Sequence, residues 1–204
     1  MSLLDKLKTH PPTVTIGFTI IFLGMYTAQI LAVGGPSQDA GFQAVKLVTN
    51  TLDAGAVLFT WLLHSNHTHI GGNVVVFFAT GWVIEDRVDR DRFIFATVFL
   101  LGMGVNLVYF ILFRGAGVGI SGITTGLVTM IALGSLEGLF DFDNLASIYF
   151  AIWALSTLYL LYSVEVIGQL PSGTAVEAHI LGSGFAVAWY TTERYQYGAE
   201  YRLK

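Results

Sequence analysis

His64, His69 and Asn73 stand at the spacing His-x4-His-x3-Asn, and two further signals, Gly119-Ile120-Ser121-Gly122 and a late histidine, His179, follow far downstream. Ser121 offers a hydroxyl that becomes a nucleophile only when a neighbouring base takes its proton. His179 offers an imidazole suited to be that base. His69 and Asn73 are four residues apart, so on a helix they share one face and can donate hydrogen bonds toward a common point. A nucleophile, a base and a set of donors are the equipment of a serine hydrolase.

Each signal has a plainer reading. Glycine and serine at such spacings form the ordinary packing surface of membrane helices. A histidine inside a span can simply bond a backbone carbonyl between helices, although its cost there makes it a functional-site hypothesis by default. His64, His67 and His69 together could bind a metal, since imidazole suits zinc, iron or copper. Against a metal stand the lack of a nearby carboxylate in the sequence and the absence of His-Glu-x-x-His. Glu177, two residues from His179, falls on a different helix face, and Asn106 and Glu165 read as helix–helix contacts or interfacial groups. The His-x4-His-x3-Asn spacing is the specific signal.

The elements that must position these residues are apolar. Of 204 residues, 54% are hydrophobic and 12% charged, against roughly 25% charged in soluble domains. Mean hydropathy is +0.66, and several apolar runs reach the ~20 residues needed to span a bilayer. The expected fold is therefore an all-α polytopic membrane protein, a single domain over residues 1–204, with spans at 14–33, 68–84, 93–113, 119–136, 146–167 and 174–191. With zero cysteines there is no disulfide or thiol chemistry. Met1 to Pro12 has no apolar run followed by a small-residue cleavage site, so no secretory signal is expected.

Basic residues set the orientation. With the N-terminus inside, the inner side holds Lys6, Lys8, Arg87, Arg90, Arg92, Arg194, Arg202 and Lys204, and the outer side only Lys46 and Arg114. That asymmetry favours N-in and C-in. Spans two, four and six then all enter from outside. His69, Asn73 and Ser121 fall in the first turns of their spans, and His179 only ~8 Å below the start of its own, at ~1.5 Å per residue. All the candidate residues share the outer leaflet. The segment 34–67 becomes the first outer loop. Its apolar stretch 54–63, at ~10 residues too short to span, is expected to lie in or dip into that leaflet.

The three signals, in this order and in these spans, resemble the rhomboid family of intramembrane serine proteases. The family pattern is His-x4-His-x3-Asn in the second core helix, Gly-x-Ser-Gly in the fourth and Ala-His-x-x-Gly in the sixth, here Ala178-His179-Ile180-Leu181-Gly182. The resemblance implies a six-helix bundle with a membrane-embedded first outer loop. It further implies a Ser121–His179 dyad, with His69, Asn73 and the Ser121 N–H as the oxyanion hole. His64 would support the site by hydrogen bonding, and Gly119 would let the backbone approach closely. No cofactor is implied, and no nucleic acid. The implied partners are the bilayer and single-span membrane-protein substrates, and the implied location is the plasma membrane. Two features depart from the family: the Trp-Arg pair of its first loop is absent, and Thr125 replaces the aromatic ring that usually lies against the base histidine. A proteolytically inactive, client-binding rhomboid-like protein and a histidine-lined metal protein are the alternative classes.

Overall fold

The computed structural model describes residues 11–33, 57–113, 117–138, 152 and 176–197, and its long elements are all helical. They are α1 (Thr13–Ala32), α2 (His67–Glu85), α3 (Arg90–Phe113), α4 (Ser121–Gly138) and α5 (Val176–Tyr197), with a 3-10 turn at Thr60–Leu62 ahead of α2. Each helix overlaps one of the apolar stretches expected from the sequence. The stretch 146–167 lies outside the described residues apart from Ile152, as does the loop segment 34–56. By length and composition, α1 and α3 are each able to cross a membrane. Their outward faces carry Ile20, Leu31, Phe99 and Ile111, all more than half exposed, a distribution that hydrocarbon tolerates and water does not.

At the centre lies α4. Ile120, Ile123, Leu127, Val128 and Ile131 on or beside it are almost fully buried. Its small residues permit that enclosure: Gly126 faces the Leu101 side chain and the Gly182 carbonyl, and Gly122 faces Val105 of α3 and Ala178 of α5. The middle of α3, Phe95–Gly104, is wound as a wider π-helix.

α1 runs beside α2. Phe22 and Phe77 meet edge to face with ring centres 5.0 Å apart, and Phe22 meets Trp61 of the first loop at 6.0 Å. The backbone N–H groups of Val14 and Thr15 donate to the Glu85 carboxylate at 2.8 and 2.7 Å. The last residue of α2 thus caps the first turn of α1, whose N–H groups have no intrahelical acceptor and favour a negative charge.

The described part of the first loop, from Val57 onward, folds back against these helices. Val57, Thr60 and Trp61 are buried, and Trp61 lies flat enough on α3 that a methyl group at Gly102 would stand 3.0 Å from the indole. Asn106 fastens the segment by donating to Thr60 Oγ1 at 3.0 Å and to the Val57 carbonyl at 3.4 Å. The sequence suggests a helix–helix or interfacial role for Asn106; its amide instead ties loop to helix. The reason is that Thr60 Oγ1, which itself donates to the Val57 carbonyl at 3.0 Å, can still accept, and a buried amide needs partners.

Candidate active site

Asn66 begins α2. Its backbone is extended and its side-chain oxygen accepts the His69 N–H at 2.8 Å, the usual way of satisfying a first-turn donor. With its main chain so engaged, His69 is left its ring for other work. Ser65 Oγ lies 3.0 Å from His69 Nδ1, and Asn66 Nδ2 donates to that same Oγ at 3.4 Å. A serine that accepts from Asn66 has its own proton to give to Nδ1. The neutral ring then carries its proton on Nε2.

That Nε2 faces Gly119. A methyl group on Gly119 would stand 2.7 Å from His69 Cε1, 3.0 Å from Nε2 and 3.4 Å from Asn73 Nδ2. One helical turn beyond His69, Asn73 therefore aims its amide at the same place, as their spacing predicts. Asn73 Nδ2 is buried and has no hydrogen-bond partner among the described residues. Buried donors are normally satisfied, so an unsatisfied one beside a second donor marks a place where an acceptor can bind.

Gly119 has φ +91, a region that side chains avoid. This conformation lets the chain pass close to His69 and then turn into α4. The sequence places the start of that helix at Gly119; the structure starts it at Ser121, because a left-handed residue cannot propagate a right-handed helix. Ser121 thereby occupies a helix N-terminus, where free backbone N–H groups and the helix dipole favour developing negative charge. Its own carbonyl accepts from the hydroxyls of Thr124 and Thr125 at 2.9 and 2.7 Å. Thr125 therefore turns back into α4, where the family pattern has a ring.

His64, in the loop ahead of α2, is fully buried. Its ring meets that of His69 edge-on, centres 5.4 Å apart, and its Nε2 accepts the Ile120 N–H at 3.5 Å. Burial, and secondly the neighbouring His69, push its pKa down to about 3, so the ring is a neutral acceptor. It braces the residue next to Ser121.

α5 completes the site. Ala178 and His179 are buried, and the Ala178 carbonyl oxygen lies 3.4 Å from where a Gly122 methyl would stand. Gly182 abuts the Gly122 backbone. His179 thus rides on the small-residue face that packs against the first turns of α4. A cleft lined by Trp61, Asn106, Gly117, Gly119, Ser121 and Ala178 opens there.

The histidines of the first motif part company. His67 pairs with the Tyr26 hydroxyl at 3.1 Å, while His64 and His69 turn to Ile120 and Ser65. Among the described residues, no three histidine or acidic side chains are grouped to hold a metal ion. Ser65 and Asn66 are participants that the motif reading passes over. Asn66 is legible as a helix cap, whereas nothing local marks Ser65.

No single curated protein matches the chain. The segment from the first loop into the last turn of α5, which carries every histidine and serine discussed above, does match as a whole: residues 53–195 fit the Rhomboid domain, and the chain belongs to the rhomboid family.

Proposed function

We propose that the protein is an intramembrane serine endopeptidase of the cell membrane, a six-span N-in/C-in bundle that cleaves single-span membrane proteins near the outer leaflet. The observation that carries this reading is the unsatisfied Asn73 amide, which converges with His69 Nε2 on the Gly119 turn beside Ser121.

In this mechanism Ser121 Oγ attacks the scissile carbonyl carbon while its proton passes to His179. The carbonyl oxygen becomes an oxyanion and accepts from His69 Nε2–H, Asn73 Nδ2–H and the Ser121 N–H. Collapse of this intermediate breaks the C–N bond, and the leaving amine takes the proton from His179. The acyl group, now an ester on Ser121, is attacked by water with His179 again as base, which frees the carboxylic acid and restores the serine. No step requires a cofactor. Water must reach Ser121, and the polar lining of the cleft at Asn106 and Ser121 suits its entry.

The test is labelling with a serine-directed fluorophosphonate in detergent or liposomes. Wild type should label and Ser121→Ala should not. Equal labelling of both, or none of either, overturns the reading. Thr125, which leaves the base without an aromatic neighbour, favours as second reading a client-binding protein that does not cleave. Absent labelling, with retained capture of a single-span protein, is its signature.

A further inference from the structure

Gln29 lies on α1, far from the catalytic motifs in sequence and outside the segment 53–195 that matches the family. It is a buried amide in a helix able to cross a membrane. Its Nε2 donates to the His64 carbonyl at 2.6 Å and its Oε1 accepts the His64 N–H at 3.1 Å. Both main-chain polar groups of one residue are thus met by a single side chain. Three residues earlier on the same helix, Tyr26 reaches His67 at 3.1 Å and lies edge-on to the His64 ring.

The location matters more than the bonds. His64 sits in an extended link between the 3-10 turn and α2, where no regular structure satisfies its backbone. Where water is scarce, such unpaired groups are costly. From this fixed backbone the His64 ring reaches across to the Ile120 N–H. Ile120 stands between Gly119, the residue His69 and Asn73 converge on, and Ser121.

We propose that Gln29 is a positioning residue for the active site, clamping the His64 backbone so that its ring holds the Gly119–Ser121 turn against the oxyanion donors. This rests on the serine-protease reading for its catalytic consequence, but not for the tie itself. Loss of the clamp frees the link, lets the His64 ring withdraw from Ile120 and loosens the turn. Misplacement of reacting groups by ~1 Å costs up to ~10²-fold in rate.

The experiment compares wild type, Gln29→Met, which keeps length and apolarity but neither hydrogen bond, and Gln29→Glu. Buried and therefore neutral, the glutamic acid side chain offers one acceptor and one donor, as the amide does. Two readouts are taken on the full chain: amide hydrogen exchange at Ile120 against that in the interior of α4, and the rate of fluorophosphonate labelling. Gln29→Met should speed exchange at Ile120 selectively and slow labelling ~10-fold or more, and Gln29→Glu should restore most of both. Unchanged exchange at Ile120 overturns the proposal. So does faster exchange with unchanged labelling, or an equal rise in exchange throughout α4, which marks general unfolding. Where wild type shows no Ser121-dependent labelling, the protease reading fails separately and exchange alone decides the tie.

Discussion

Gly182 rests directly on the backbone of Gly122, so that a methyl group added to Gly182 would stand 3.0 Å from the Gly122 carbonyl carbon and 3.2 Å from its Cα. Two helices meet there with nothing but backbone between them. The contact lies next to Ser121 on α4 and one turn from His179 on α5, and it therefore sets how nearly the two side chains can approach. Their expected separation is within hydrogen-bond reach, or slightly beyond without substrate.

Gly182→Ala should consequently move α5 away from α4. Backbone cannot yield as a flexible side chain would, and overpacking of this kind typically costs ~1–3 kcal/mol. The expected result is a lower unfolding midpoint in detergent together with slower labelling of Ser121. Gly184, which has open space around it, is the control: Gly184→Ala should leave both unchanged. Equal behaviour of the two variants would show that the close approach does not govern the site.

Asn73→Ala should separate activity from stability. Its buried Nδ2 has no partner among the described residues, so truncation abandons no internal hydrogen bond of that atom and removes an unsatisfied donor. The unfolding midpoint should hold or rise. Turnover of a model membrane substrate should fall ~10²–10³-fold, corresponding to about 3 kcal/mol of transition-state stabilisation. An activity loss matched by a comparable loss of stability assigns Asn73 to the fold.

The convergence of His69 and Asn73 on the turn ahead of Ser121 was legible because it depends on helical periodicity and on a turn glycine, both of which are local. The approach of α5 to α4 was also legible, through the small residues Gly122, Gly182 and Ala186. Ser65 was not, because its relation to His69 Nδ1 depends on how the Asn66 cap orients the link. Gln29 was not, because its partners are the backbone atoms of a residue 35 positions away, and backbone groups leave no mark in a sequence. Asn106 was misjudged for a similar reason, its partners being loop oxygens that approach it only in three dimensions.

The buried His64 predicts a pH-dependent stability. Its pKa is near 3 in the folded protein and about 6.5 when unfolded, so between these values the unfolded chain binds a proton that the folded one excludes. Stability from this group is complete above about 6.5 and falls as the pH drops toward 3, by about 1.4 kcal/mol per unit. Unfolding measured between neutral and moderately acid pH should show this slope in wild type and a shallower one in His64→Gln. The same slope in both would mean that other groups carry the acid sensitivity.

Metal dependence distinguishes the dyad from the remaining rival. Acidification should lower activity under either reading, because protonated His179 cannot accept the Ser121 proton and protonated imidazoles cannot bind metal. A chelator acts on one alone. The proposed chemistry moves one proton between Ser121 and His179 and stabilises an oxyanion with three N–H groups, none of which needs an ion. His64, His67 and His69 turn to Ile120, Tyr26 and Ser65 separately, and among the described residues they are not grouped around one point. Cleavage of a model substrate should therefore survive exhaustive EDTA treatment at neutral pH, and added zinc should not raise it. Activity lost to EDTA and restored by zinc or iron would falsify the metal-free mechanism and return the three histidines to the role of ligands.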